Sequence, residues 1–249
     1  WLESPKQKAV DAGWDLLKHL EAVHAADGTP TEDGLLMSRL PLHPRLARML
    51  IEGGRRNCLD EATLMAALLS ERPVSSGGPK GREELHHSFS NTLEGGDDAG
   101  GEGEQCRADL FVLINALRTA HEKRFDPRFC EDVGVNPSAA RQVWRTRAFF
   151  KRVCRQPRPA SDERQQLTRS EGVLQSLLLA YPDRLAARRE QDVRVYTLSG
   201  GRSAELDRYS RLKDAPLVVA AECGDVKSGS GGEVAKTILS LAGDVRRSW

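Results

Sequence analysis

Apolar residues recur at three- and four-residue spacing along most of the chain and change to a spacing of two near Val193, which predicts a long helical region followed by strands. Val10, Trp14, Leu17 and Leu20 form one face of a first helix, opened by Ser4 as cap with Pro5 at the first position and ending near His24. Asp27-Gly28 and Asp33-Gly34 are turn signals around Thr29 to Thr31 and before Leu35 to Leu40, so a short hairpin is expected after that helix. Pro41 and Pro44 forbid a helix before Pro44 but suit one starting there, with Leu46, Met49 and Leu50 as its apolar stripe and Gly53-Gly54 as its stop.

Further helices are predicted over Leu59 to Ser70, over Ala108 to about Arg124, after the Asn136-Pro137 cap, and around Val173, Leu177 and Tyr181. Tyr181-Pro182 ends the last of these, and Pro182 opens a further short turn. Val193, Val195 and Thr197 then alternate with Arg194, Tyr196 and Leu198, and the runs Leu217 to Cys223 and Val234 to Leu241 read as a further pair of strands. Three strands are thus visible, with a fourth hidden in Ser203 to Asp214 or missing. Between Val74 and Gln105 glycines alternate with acids, a composition that buries too little to fold, so a disordered insertion is expected there, with His86 and His87 solvated.

Composition narrows the class. With 39% apolar and 29% charged residues and a formal net charge of +1, the chain has no overall basic field, and any nucleic-acid contact must be local. No apolar run approaches the roughly 18 residues of a membrane helix, which favours a cytoplasmic protein with no membrane partner. The 5 cysteines are scattered without a Cys-x-x-Cys pair, which fits reduced thiols rather than disulfides or zinc.

The local charge is on one helix. Between Arg141 and Arg158 stand Arg141, Arg145, Arg147, Lys151, Arg152, Arg155 and Arg158, without an acid among them, and Arg141, Arg145, Arg152 and Arg155 share a face beside Trp144. Clustered arginines suit phosphate, and Arg141, Arg145, Arg147, Lys151, Arg152 and Arg155 are the candidate nucleic-acid-binding residues. A plain solvated face is the competing reading. No catalytic, cofactor or metal site is expected: Asp60-Glu61-Ala62-Thr63 is a helix start, where the dipole favours acids, and the Gly229 to Gly232 loop lacks the following lysine of a phosphate loop. Asp183 and Arg184 read as a surface pair.

Three strings carry a resemblance: Thr31-Glu32-Asp33-Gly34, Leu40-Pro41-Leu42-His43-Pro44-Arg45-Leu46-Ala47-Arg48-Met49-Leu50 with Ala66-Ala67-Leu68-Leu69-Ser70-Glu71-Arg72, and Ala180-Tyr181-Pro182-Asp183-Arg184-Leu185-Ala186. Together they resemble the C-terminal accessory region of bacterial DEAH-box RNA helicases of the HrpB type. The resemblance implies a mainly α architecture of a winged helix over residues 1–40, a helical ratchet domain over 41–189 with the insertion 74–105, and a small antiparallel oligonucleotide-binding-like β unit over 190–249, complete or not. It also implies that the chain is part of a longer protein whose upstream motor domains bind ATP and Mg²⁺, that these motors are its partners, and that single-stranded RNA, or DNA, crosses the basic helix. The fragment alone should not hydrolyse ATP. Two other readings compete: a helical protein-interaction module without nucleic-acid binding, and a winged-helix regulator, which the mixed charge of the first helix disfavours.

Overall fold

The computed structural model describes residues 4–76, 78–93, 106–154, 167–190, 192–226 and 236–249. Among these the order is α1 (Gln7–His19), α2 (Glu32–Ser38), α3 (Pro44–Arg55), α4 (Leu59–Ser70), α5 (Pro79–Ser88), α6 (Asp109–Glu122), α7 (Pro127–Asp132), α8 (Pro137–Val153) and α9 (Arg169–Ala180). A 3-10 turn (Pro182–Arg184) leads into β1 (Leu185–Arg189), β2 (Asp192–Leu198), β3 (Ser203–Leu206), β4 (Leu217–Val226) and β5 (Lys236–Asp244). The chain is therefore mainly helical with a small strand region.

The hairpin expected before Leu40 is replaced by a helix. A single bridge, Val23 to Pro30, closes the Asp27-Gly28 turn, and the chain then enters α2. Thr31 decides this: its hydroxyl accepts from the Gly34 amide at 3.0 Å, and Glu32 and Asp33 occupy the first turn, where the helix dipole favours acids. Gly53-Gly54 do not stop α3 either. The helix runs on to Arg55 because Gly53 is a packing position, where a Cβ would stand 2.5 Å from that of Ala62 on α4.

One apolar core joins α3, α4, α6, α8 and α9, with Met49, Leu64, Met65, Phe111, Ile114 and Leu174 fully buried. Part of the predicted insertion belongs to it. Residues 79–88 form α5, which buries Leu85, and Phe89 and Leu93 pack on the same core. The glycine- and acid-rich remainder, 94–105, lies outside the described residues.

The strand count is also corrected. Five strands close into a barrel of order β1-β2-β3-β5-β4, with β3 and β5 parallel and the other neighbouring pairs antiparallel. The barrel starts at Leu185, ahead of the expected boundary at 190. The strand left open within Ser203 to Asp214 is β3, four residues long, and the one not foreseen is β1, whose sequence Leu-Ala-Ala-Arg-Arg gives a weak signal. Inside, Tyr196 is fully buried and its hydroxyl donates to the carbonyls of Leu212 and Ala215 at 3.1 and 3.0 Å. The barrel is docked on the start of α6, where the Asp109 carboxylate accepts from the Ser210 hydroxyl at 2.9 Å and the Ala242 amide at 3.2 Å.

Candidate nucleic-acid interface

Helix α8 begins where Asn136 Oδ1 accepts from the amides of Ser138 and Ala139, both at 3.0 Å, with Pro137 in the first turn. Ala140, Val143 and Phe150 face the core, which fixes the rotation of the helix and with it the direction of every basic side chain.

The six candidate residues do not form one patch. Arg147 turns inward and gives Nη2 to both carboxylate oxygens of Asp60 on α4, at 2.7 and 2.6 Å, while its guanidinium stacks 4.5 Å from the centre of the Trp144 ring. Lys151 closes on the same carboxylate. Burial opposes ionisation of Asp60, yet the hydrogen bonds from Lys151 and Arg147 hold its carboxyl below the usual range. Arg141 gives Nη2 to the Phe125 carbonyl at 2.9 Å. Arg155 lies outside the described residues. Arg145 and Arg152 are left on the exposed side of α8.

Between those two arginines lies Phe149, a residue the sequence reading did not single out. It is 39% exposed, four positions after Arg145 and three before Arg152, whose guanidinium approaches its ring centre at 6.0 Å. The signal was available: an aromatic at helical spacing between two basic residues on the polar side of the helix. The resulting ridge pairs two cations with one exposed ring, the combination that holds a phosphate backbone and stacks a base.

A second basic cluster lies where the helical core meets the barrel. Tyr181, buried at the end of α9, has the guanidinium groups of Arg45 and Arg184 at 5.0 and 4.8 Å from its ring centre. Asp183 and Arg184 do not pair with each other as expected. Asp183 binds Arg45 through both oxygens, at 2.7 and 2.9 Å, and Arg184 reaches the Ala221 carbonyl of β4. An open groove of about 1050 Å³ runs past Arg45 and Arg184, but Asp207 and Glu222 line it as well, so its charge is mixed. The arginines here serve as ties between helices and barrel.

Among the described residues no cluster of three or more His, Cys, Asp or Glu side chains is arranged to hold a metal, and no helix is long and apolar enough to cross a membrane. The five cysteines are free, and burial pushes the Cys58 thiol up to about 12, which makes it inert as a nucleophile at neutral pH.

Residues 43–162 match the family described as helicase associated domain (HA2), ratchet-like. The chain is 27% identical over 181 residues to a putative ATP-dependent RNA helicase, rha-2, of Caenorhabditis elegans, a match covering 66% of the chain and 15% of that protein. It is 26% identical over 147 residues to the human ATP-dependent RNA helicase homolog DQX1, covering 59% of the chain and 19% of that protein. It is 32% identical over 98 residues to the ATP-dependent RNA helicase HrpA of Escherichia coli, covering 36% of the chain and 7% of that protein. The chain therefore spans under a fifth of the length of each of these relatives. Its fold is similar to the crystal structure of the E. coli DExH-box NTPase HrpB, with a TM-score of 0.56 and 19% identity over 97% of this chain and 22% of that one.

Proposed function

Residues 43–162 belong to the ratchet-like helicase-associated family, and on that premise we propose that the chain is the accessory region of a cytoplasmic ATP-dependent DEAH-box RNA helicase of the HrpB type. In this reading the helical bundle guides single-stranded RNA past motor domains that lie in the same polypeptide and hold ATP and Mg²⁺. Nucleotide-driven motion of the motors is passed to the strand through the bundle. The unit of α1, the Val23–Pro30 loop and α2 is assigned to a winged helix, and the five-stranded closed barrel to the oligonucleotide-binding type.

The observation that carries the reading is the α8 ridge, in which Arg145 and Arg152 stand exposed on either side of Phe149 while Arg147 and Lys151 pair with Asp60 and Arg141 with the Phe125 carbonyl. A surface with two phosphate contacts and one stacking ring suits an unpaired strand, whose bases are free to stack, better than a duplex.

Fluorescence anisotropy with a labelled single-stranded RNA tests this. The chain should bind it in preference to duplex DNA. Arg145→Glu with Arg152→Glu should weaken binding and lower the slope of log affinity against log salt by roughly 0.7 per lost phosphate contact. An unchanged affinity and slope would make the ridge plain solvated surface and favour a protein-interaction module. Phosphate release from ATP should appear only when the motor domains are present.

A further inference from the structure

A second feature lies on the flank of α8 rather than on its outward ridge. His121, near the end of α6, stacks on Trp144 with ring centres 4.0 Å apart and planes 18° from parallel. Phe125 meets both edge-on, at 5.6 Å and 70° to His121 and at 6.4 Å and 68° to Trp144. Arg147 lies against the Trp144 ring and Arg141 against the Phe125 ring at 5.8 Å. Trp144 is half-buried, but His121 is exposed, so the cluster presents an imidazole at the surface with an indole beneath it.

The backbone is strained to make this arrangement. Arg124 and Phe125 are consecutive non-glycine residues with φ of 54° and 55°, in the left-handed region that costs a side-chain-bearing residue energy. Those two residues reverse the chain at the end of α6, with the Phe125 amide donating to the Ala120 carbonyl at 2.6 Å and Arg141 tying down the Phe125 carbonyl. The reversal brings the Phe125 ring back against His121 and Trp144. The reversal also seats the half-buried Phe125 and Trp144 rings on the helical core, while His121 is left exposed over them.

We infer that the His121–Trp144 stack is a platform for one unpaired nucleobase, separate from the Phe149 ridge. This inference rests on the single-strand reading above. An exposed imidazole already stacked on an indole is a flat, preorganised π surface, and stacking accepts any base because every base has a π face. Lys123 and Arg124, the exposed residues that follow α6 within three positions of His121, offer donors for the flanking phosphates, against Glu122 and Asp126 as the acids of the same turn. Edge-on Phe125 keeps the two rings from sliding.

The test uses two labelled probes with the whole chain: a ten-nucleotide oligoadenylate and a strand of equal length made only of abasic sugar-phosphate units. His121→Ala should weaken oligoadenylate binding about fivefold, the low end of what one stacked base contributes, and leave the salt slope unchanged. The same variant should bind the abasic strand like the parent chain. His121→Phe, which keeps a flat ring, should restore affinity for oligoadenylate. Because His121 is exposed, these variants should keep the parent's unfolding midpoint. Parent-like binding of oligoadenylate by His121→Ala, or an equal loss on both probes, would overturn the platform while leaving the ridge reading in place. A chain that binds neither probe would overturn both.

Discussion

Asp183 receives both terminal nitrogens of Arg45, at 2.7 and 2.9 Å, across 138 residues of sequence. Arg45 sits in the first turn of α3 and Asp183 in the turn that leads into the barrel, and Tyr181 lies under the guanidinium. A bidentate contact of this kind, half sheltered from solvent, fixes the angle between helices and barrel as well as the distance.

Arg45→Ala and Asp183→Ala should each destabilise the chain by about 1–2 kcal/mol, discounted because Asp183 is partly exposed. The double variant should lose little more than the larger single loss, and a urea double-mutant cycle measures this. Burial works against ionisation of Asp183, but Arg45 still holds its carboxyl below the usual range. The contribution should therefore be present above the ordinary carboxylate range near pH 4 and be lost as pH falls further.

The start of the chain is anchored by buried charge. Arg48, 4% exposed, reaches Asp33, Glu21 at 3.1 Å and Glu52 at 3.5 Å, and Glu52 is itself 3% exposed. Arg48→Met should cost about 3–5 kcal/mol, because it leaves buried carboxylates short of a partner. An unfolding midpoint in urea equal to the parent's would contradict this account.

Gly34 tests the same junction by shape. A Cβ there would stand 1.9 Å from the Ala22 carbonyl oxygen, a backbone atom with no rotamer in which to escape. Gly34→Ala should cost about 1–3 kcal/mol, whereas the same change at Gly54, where nothing lies within 4 Å, should be neutral or slightly stabilising through better helix propensity. Thermal melts of the two variants side by side give the comparison.

Asp109 should make the docking of the barrel pH-sensitive. Complete burial raises its carboxyl to about 6, although the Ser210 hydroxyl and the amides of Ala242 and Arg211 pull the other way. A raised folded value means the native state binds the proton more tightly than the unfolded chain, so this contribution is full below about pH 4 and is lost as pH rises through about 6. Relative to Asp109→Asn, which keeps an acceptor for Ser210, the parent should lose on the order of 2–3 kcal/mol between pH 4 and pH 7. Parallel stability-against-pH curves for the two proteins would rule this out.

Asp60 pairs with both Arg147 and Lys151 and so neutralises part of the positive charge of α8. Asp60→Asn should free them for phosphate, raise affinity for single-stranded RNA and steepen the salt slope by roughly 0.7 per added contact. Salt titrations of the variant and the parent decide it. A weaker or unchanged slope would mean that the two cations stay folded against α4.

Several features were legible from the residues alone. Pro44, Asn136-Pro137 and the apolar stripes around Leu46, Leu110 and Val143 mark helix starts and buried faces, because propensity, capping and periodicity act within a few residues of one another. The strings around Leu40–Leu50 and Ala180–Ala186 carried the helicase resemblance, and the density of basic residues on α8 was plain.

Other features depended on contacts far along the chain. Asp60 looked like a helix-dipole acid and is a counter-ion for α8; Asp183 and Arg184 looked like a surface pair and tie separate parts together. Gly53 looked like a stop and is where two helices touch. Strands β1 and β3 are too short and too weak in pattern to show themselves until β2, β4 and β5 supply their hydrogen bonds. The sequence by itself determined where α3, α4, α6 and α8 begin, which of their faces are apolar and how much basic charge α8 carries, because those follow from local spacing. Only the tertiary structure decided which of those charges remain free, because an arginine is spent or available according to the carboxylate or carbonyl that folding brings within hydrogen-bond reach, and sequence spacing does not encode that distance.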